Sequence, residues 1–123
     1  MGFEKFDTKK RSEEGAWVQI FAPDESDTGA KIKVLGRDSQ EFKKRIQRVA
    51  DLQRQKKKGL AVAELERQST EVYVACTVDW EGVVDTSGKP LECTSDNIRT
   101  TYKDYPWVLE QVTEFVEDRA NFL

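Results

Sequence analysis

Residue types that commonly carry out catalysis or bind metals are scarce in this chain. Its 123 residues include no histidine and two cysteines, Cys76 and Cys93, which lie 17 positions apart. Zinc sites need four ligands drawn mainly from Cys and His, so this pair does not indicate one. A cysteine nucleophile needs a neighbouring base, and no imidazole is available. Because Cys76 falls on an apolar helical stripe, we expect a small buried side chain and no catalytic thiol.

Carboxylates are abundant, yet their settings are typical of solvated loops. Asp24, Glu25 and Asp27 cluster in a predicted turn, but the spacing and the closing Glu of an EF-hand calcium loop are missing. Gly82 and Gly88 do not form a glycine-rich phosphate-binding pattern. The sequence therefore predicts no metal site, no cofactor and a protein that is not an enzyme.

Charge is distributed unevenly along the chain, although its formal net value is only −3. Residues 37–58 carry nine Lys or Arg against three Asp or Glu, whereas residues 59–123 carry five against thirteen. A basic helix could bind nucleic acid. The pI near 5.1 and the acidic second half argue against nucleic-acid binding, because a net negative charge repels phosphates. Contact between unlike faces, within a fold or between copies, is the better interpretation.

Neither secretion nor membrane insertion is indicated by the sequence. The N-terminal residues Met1–Phe6 contain no apolar run that would form a signal peptide. No stretch approaches the roughly 18 apolar residues that a membrane-spanning helix requires. Two cysteines with no evident pairing are typical of a reducing compartment. We therefore expect a cytoplasmic protein with reduced thiols and no membrane partner.

Residues 16–35 predict a β-hairpin. Trp17–Phe21 is rich in β-branched and aromatic residues, and Lys31–Val34 alternates polar and apolar side chains. Both patterns favour half-buried strands. The segment between them is rich in Pro, Asp, Ser and Gly, which are the residues of turns. A hairpin with a long loop follows from this pattern.

Residues 1–14, before the hairpin, are mostly polar and predict a flexible N-terminal arm. Phe3 and Phe6 are its large apolar residues. A functional interpretation of the arm is that these two side chains dock onto a neighbouring subunit. The remaining residues, 15–123, have the length of one ordinary domain.

The spacing of apolar residues predicts four helices, at about residues 38–57, 61–79, 95–104 and 106–119. Asp38 with Glu41 approximates a capping box at the first helix, and Gly59 after three lysines suits its end. Pro106 suits the first position of the last helix. Together these elements predict an α+β fold, in which an N-terminal β-hairpin packs on a small bundle of about four α-helices.

Aromatic and turn residues are densest between Trp80 and Phe122. This stretch holds two of the three Trp and two of the three Tyr. Each aromatic side chain can bury roughly 150–250 Å², so the pattern indicates a folded nucleus rather than a catalytic cleft. Trp80 also continues the helical spacing of Val72 and Cys76, which places it on the inner stripe of the second predicted helix.

Packing and turn motifs follow one another from about residue 7 to residue 123. They are Gly15-Ala16-Trp17, Val34-Leu35-Gly36-Arg37-Asp38-Ser39, Trp80-Glu81-Gly82, Gly88-Lys89-Pro90-Leu91, Thr94-Ser95-Asp96-Asn97, Tyr105-Pro106-Trp107 and Arg119-Ala120-Asn121-Phe122. Their order resembles that of the tail assembly chaperones of long-tailed (siphovirus-type) phages and prophages. These motifs carry packing and turns, and none of them is a chemical fingerprint.

The resemblance implies a non-enzymatic role in virion assembly. Such chaperones coat the aggregation-prone tape measure protein before tube subunits polymerise around it. The implied partners are the tape measure protein, with the tail tube protein as a further candidate, and copies of the chain itself in a homo-oligomer. The implied location is the host bacterial cytoplasm. Two alternatives stay open: a small structural subunit of the head–tail joint or tail terminator, and a prophage-encoded regulatory module that binds another protein.

A chaperone of a long helical client needs exposed apolar stripes that bind weakly at many points, because repetition then supplies avidity. The candidate protein-binding residues are Phe42, Ile46, Val49, Phe115 and Phe122. Three lie on the basic helix and two near the C-terminus. The pattern alone does not separate a stripe that contacts the client from one that fills the core.

Overall fold

In the computed structural model, which describes residues 2–54 and 62–123, a three-stranded antiparallel sheet packs on helices. The elements along these residues are α1 (Thr8–Glu14), β1 (Ala16–Phe21), β2 (Asp27–Val34), α2 (Gln40–Arg54), α3 (Val62–Cys76), β3 (Thr77–Glu81), α4 (Ser95–Asp104) and α5 (Pro106–Glu117). Short 3₁₀ helices span Phe3–Phe6 and Arg119–Phe122. The predicted α+β class is confirmed, with one more strand and one more helix than expected.

The sheet has the strand order β1-β2-β3, with β2 in the centre. The β1–β2 pair is the predicted hairpin, in which Val18 lies opposite Ile32. On the other edge of β2, Trp80 lies opposite the same Ile32. Because side chains alternate between the two faces of a strand, Val18, Ile20, Ile32 and Trp80 share the face that is buried under the helices.

The prediction that the second helix continues to residue 79 is wrong. The chain leaves α3 at Cys76 and enters β3 at Thr77. The spacing of Val72, Cys76 and Trp80 fits a helix, but β2 presents an edge whose backbone groups need partners. Thr77, Val78 and Trp80 are also residue types that favour strands. Pairing with a distant strand therefore prevails over the local helical period.

Residues 8–14, which belong to the predicted flexible arm 1–14, are instead a helix that packs on the fold. Ser12 of α1 is buried, and its carbonyl accepts a hydrogen bond of 3.0 Å from Gly36 N. Thr8 Oγ1 donates to the Asp38 carboxylate at 2.6 Å. These contacts fix α1 to the start of α2. Two large side chains of the preceding 3₁₀ helix stay exposed, Phe3 and Phe6.

Helix α2 begins with a different cap from the predicted one. Ser39 Oγ accepts a hydrogen bond of 3.2 Å from Phe42 N, which is the role of an N-cap side chain. Asp38, the predicted cap, pairs with Arg119 instead. The predicted end of this helix near residue 57, the following Gly59 and the predicted helix start at residue 61 lie outside the described residues.

The last two helices begin where their local signals predict, and α5 ends at Glu117, two residues before its predicted end. Thr94 Oγ1 accepts from Asn97 N at 3.2 Å and caps α4. Pro106 occupies the first turn of α5, where its missing N–H costs no hydrogen bond. Tyr105 is the single residue between the two helices, so they meet at a sharp corner.

One apolar core joins the sheet to the helices. Its buried members come from every strand and from α2 to α5, together with the C-terminal 3₁₀ helix. They are Val18, Ile20, Ile32, Val34, Phe42, Val72, Val74, Cys76, Trp80, Ile98, Tyr102, Val108, Val112, Val116 and Phe122. Within residues 2–54 and 62–123, no helix combines the length and the apolar composition needed to cross a membrane.

Candidate protein-binding groove

An apolar groove of about 470 Å³ opens between the sheet and the corner of α4 and α5. Three segments form its walls: the hairpin strands, the loop that follows β3, and the α4–α5 corner. The lining residues are Ile20, Thr28, Ala30, Ile32, Gly82, Val83, Val84, Asp85, Thr86, Leu91, Thr100, Thr101, Asp104, Tyr105, Trp107 and Val108. We call this site the apolar groove.

The floor of the apolar groove is the buried face of the hairpin. Ile20 and Ile32 lie on that face and are almost fully covered. The smaller Thr28 and Ala30 continue the same face of β2 towards the hairpin turn, since residues two apart on a strand point the same way. Small side chains at this end leave the space that larger ones fill elsewhere in the core.

The second wall is the loop after β3, and backbone bonds hold it in place. Val84 and Pro90 form an isolated bridge, and Leu91 N donates to Val83 O at 2.9 Å. The buried Trp80 anchors the loop to the sheet, because its Nε1–H donates to Leu91 O at 2.7 Å. Val84 stays 52% exposed, so the outer part of this wall is available to a partner.

Gly82 lets the loop approach the hairpin closely. Its φ is +73°, a left-handed conformation that costs a residue with a Cβ roughly 1–2 kcal/mol. A Cβ at this position would also collide with the backbone carbonyl of Gly29. Both constraints require glycine, and they set the width of the groove between the loop and β2.

The third wall is the corner between α4 and α5. Tyr105 and Trp107 make an edge-to-face aromatic contact, with ring centroids 6.0 Å apart and planes at 64°. Such pairs prefer this geometry and hold each other in place. Tyr105 is nevertheless 48% exposed. The corner thus presents a rigid aromatic surface beside the apolar floor.

Both charged residues among the groove lining that the structure describes are acidic, Asp85 and Asp104. The Ser87 hydroxyl and the backbone N–H groups of the turn donate to the Asp85 carboxylate. These hydrogen bonds lower the pKa of Asp85 below its usual range, because they stabilise the ionised form. The groove lining therefore combines two carboxylates, which we call the acidic rim, with mainly apolar side chains.

The edge of β1 beside the groove is closed by a side chain. Phe21 N donates to Gln111 Oε1 at 2.9 Å, and Gln111 Nε2 donates to Phe21 O at 2.8 Å. The amide of Gln111 thus satisfies one N–H and one C=O of an edge strand, as a neighbouring strand would. A further strand therefore cannot pair with β1 at Phe21, and a partner would contact the groove through side chains.

The five residues that the sequence pattern offers for protein binding lie outside the groove. Phe42 is only 7% exposed and packs edge-on against Tyr73, and Phe122 is 1% exposed. These two are core residues, since each fills the space under a helix of its own chain. Val49 and Phe115 are partly buried against the core. Ile46 is 41% exposed and is the one of the five that faces solvent.

The residues of the apolar groove were missed because they come from three distant segments. In the sequence, Val83, Val84, Tyr105 and Trp107 all fall within the stretch that predicts a folded nucleus. The available signal was the density of aromatic residues between residues 80 and 107. That signal indicates packing, and it does not tell which aromatic faces stay uncovered.

The environments of the two cysteines disfavour the thiolate form. Burial raises the pKa of the Cys76 thiol to about 12, and it also raises the pKa of Cys93. Both thiols are therefore neutral, and weakly nucleophilic, at neutral pH. Among the residues that the structure describes, no three of His, Cys, Asp and Glu lie close enough together to hold a metal ion.

Comparison with known protein families gives a match. A family model described as "YdaY prophage protein" matches residues 37–123, well over half of the chain. It covers α2 to α5 and β3, while the β1–β2 hairpin lies before it. No curated protein matches. No solved structure matches either.

Proposed function

The chain belongs to the YdaY prophage protein family, and from that premise we propose that it is a tail assembly chaperone that binds the tape measure protein. The binding surface in this proposal is the apolar groove. The role requires no reaction step, so the chain acts by covering apolar surface of its client. The resemblance of the motifs between Gly15 and Phe122 to tail assembly chaperones supports the same role.

The observation that carries this proposal is the open apolar groove with an aromatic wall. A tape measure protein is a long helical client, and a helix binds a groove through apolar side chains at positions i, i+3 or i+4, and i+7. Val84 and Tyr105 flank the groove and are about half exposed. They could therefore contact such side chains. One short groove gives a weak site, and many chaperone copies on one client give avidity.

The acidic rim adds a preference to this apolar contact. Asp85 and Asp104 would favour client segments in which Lys or Arg flanks the apolar residues. Exposed charges of this kind act mainly on the association rate and are screened by salt. We therefore expect the client complex to form more slowly at high ionic strength, while the apolar contact itself persists.

Co-expression with the tape measure protein of the same prophage tests the proposal. The wild-type chain should keep the tape measure protein out of inclusion bodies and co-purify with it. Val84→Asp should abolish co-purification, because it places a charge on the apolar wall. The matched control is Val62→Asp, the same substitution at a residue that is 67% exposed at the start of α3 and outside the groove. This variant should bind as the wild type does.

Each alternative has its own outcome in this experiment. Equal binding by Val84→Asp and the wild type would exclude the apolar groove as the client surface. A wild-type chain that leaves the tape measure protein aggregated would contradict the chaperone role. Rings or tubes that the chain alone forms and that persist at high salt would favour a structural subunit. Binding of the tail tube protein in place of the tape measure protein would reassign the client.

A further inference from the structure

Helix α2 presents an exposed basic stripe, which we define by Lys44 and Arg48. Both side chains face solvent, and they lie four residues apart on one side of the helix. The neighbouring Arg45 and Arg54 are engaged by Glu41 and Asp51 of the same helix. Within the part of the chain that the structure describes, neither Lys44 nor Arg48 takes part in an ion pair.

Helix α5 presents an exposed acidic stripe with the same spacing, Glu110 and Glu114. These side chains also face solvent, and none of the ion pairs found among residues 2–54 and 62–123 includes them. A separation of four residues places charges about 6 Å apart along a helix axis. The two stripes therefore have the same spacing and opposite charge.

The two stripes do not neutralise each other within one chain. Helix α2 packs chiefly against α3, whereas α5 packs against α4, the β1–β2 hairpin, the C-terminal 3₁₀ helix and, less extensively, α3. Described residues provide no ion pair between α2 and α5. The complementary surface for each stripe is thus present on every copy but is unused inside it.

We propose that the basic stripe on α2 of one copy docks on the acidic stripe on α5 of a second copy. Two different surfaces meet in such a contact, so it is heterologous, and each copy keeps one stripe for a further neighbour. The result is a ring or an open chain rather than a closed two-fold dimer.

A second copy fits the basic stripe better than nucleic acid does. The chain carries a net charge of −3, and the acidic residues concentrate in residues 59–123, so the protein as a whole is repelled by phosphate. The acidic stripe on α5 is present at the same concentration as the basic one. This contact involves no residue of the apolar groove, so its test needs no client protein.

Exposed ion pairs are individually weak and are screened by salt. We therefore expect self-association that rises with protein concentration and falls on going from about 50 mM to about 500 mM salt, where the screening length drops severalfold. Weak, repeated contacts of this kind allow copies to add to and leave an assembly without a large barrier.

Charge reversal in purified protein, followed by sedimentation velocity at low salt, tests the contact. Lys44→Glu with Arg48→Glu, and separately Glu110→Lys with Glu114→Lys, should each weaken self-association about tenfold or more, since repulsion replaces attraction at two sites. Lys9→Glu with Lys10→Glu on α1 is the control. It makes the same net charge change as the α2 variant, at exposed residues, and should leave self-association within about twofold of the wild type.

Mixing the two charge-reversed proteins gives the sharpest readout. The acidic α2 stripe of one variant then faces the basic α5 stripe of the other, with the same spacing and opposite charge. The equimolar mixture should therefore self-associate as the wild type does. The proposal is wrong if the mixture stays monomeric, if high salt leaves self-association unchanged, or if the α1 control loses it equally. Loss of binding to a DNA or RNA duplex by the α2 variant, with self-association intact, would overturn it in favour of nucleic acid.

Discussion

The two ends of the β1–β2 hairpin differ in how the rest of the chain covers them. At the closed end, formed by α1, the start of α2 and the C-terminal 3₁₀ helix, Asp38 pairs with Thr8 and Arg119, and Phe122 is buried. At the open end, the apolar groove leaves Val84 and Tyr105 half exposed. Exposed apolar surface lowers stability unless a partner covers it. In the proposed function, the closed end stabilises the fold and the open end binds the client.

The closed end depends on a carboxylate that joins three segments. Asp38 accepts hydrogen bonds from Arg119 Nε at 2.8 Å and Arg119 Nη2 at 3.0 Å, and one from Thr8 Oγ1 at 2.6 Å. Bidentate arginine pairs have well-defined geometry. The C-terminus, α1 and the α2 start are thereby fixed together. No comparable polar junction crosses the apolar groove among the residues that the structure describes.

The largest expected effect comes from truncating one aromatic side chain at each end of the hairpin and comparing the losses in stability. Phe122→Ala should lower the free energy of unfolding by about 3–5 kcal/mol, since it removes a fully buried ring from the core. Tyr105→Ala should cost about 1 kcal/mol, chiefly through its lost contact with Trp107. Urea unfolding followed by Trp fluorescence measures both. Similar losses for the two variants would remove the distinction between a structural end and a binding end.

A smaller effect is expected at the glycine that shapes the groove. Gly82→Ala should lower the free energy of unfolding by about 2–4 kcal/mol, because left-handed strain and a backbone collision both apply. Gly88→Ala is the matched control. It has a similar φ of +83°, with open space around its Cβ position. The control should cost about 1–2 kcal/mol, from strain alone.

The difference between these two glycine variants measures how tightly the loop wall packs on the hairpin. Equal losses would mean that the loop moves away from Gly29 at no cost and that the groove is wider in solution. In that event, client binding by Gly82→Ala would be the same as for Gly88→Ala. A larger loss for Gly82→Ala should be accompanied by weaker binding of the tape measure protein.

The smallest effect concerns the charge at the closed end. Hydrogen bonding by Arg119 lowers the pKa of Asp38 to about 2 from an ordinary value of 3.8. Because the pKa is depressed in the folded state, the resulting stabilisation is full above pH 4 and is lost as the pH falls towards 2. Asp38→Asn should therefore lower the free energy of unfolding by about 1–2 kcal/mol at neutral pH, after allowance for the exposed Arg119.

Denaturant unfolding of both proteins between pH 7 and pH 2 checks this expectation. The gap between the wild type and Asp38→Asn should narrow below pH 4 and nearly close at pH 2. Asp96→Asn is the control, because Asp96 also pairs with an arginine, at 2.9 Å from Arg99, yet its side chain is 94% exposed. Its effect should stay within about 0.5 kcal/mol. A pH-independent gap would show that Asp38 acts through shape rather than charge.

Much of the fold was predictable because its signals are local. The hairpin follows from alternation in Lys31–Val34, and the corner of the last two helices follows from Pro106. The third strand was not predictable in this way. Its residues continue the apolar period of α3, and only the free edge of β2 decides between the two structures. The capping role of Ser39 likewise depends on Asp38 being engaged by Arg119, which lies at the other end of the chain.

The candidate site was even less predictable from local sequence signals than the fold. Apolar spacing offers Phe42 and Phe122 for binding, but both fill the core once α3 and the C-terminal 3₁₀ helix are in place. Conversely, Val84 and Tyr105 carry no periodic signal and lie beside an open groove. Periodicity identifies which residues avoid water. It does not identify which of them find a partner within the same chain.

By itself, the sequence determined the α+β class, the separation of basic and acidic segments and the absence of histidine, since composition and local period suffice for these. Tertiary structure alone decided that Thr77–Glu81 joins the sheet, that residues 8–14 pack on the fold, and where apolar surface stays uncovered. The physical reason is that the apolar surface of a segment stays uncovered only where no distant segment packs over it. Such packing exists only after the chain has folded.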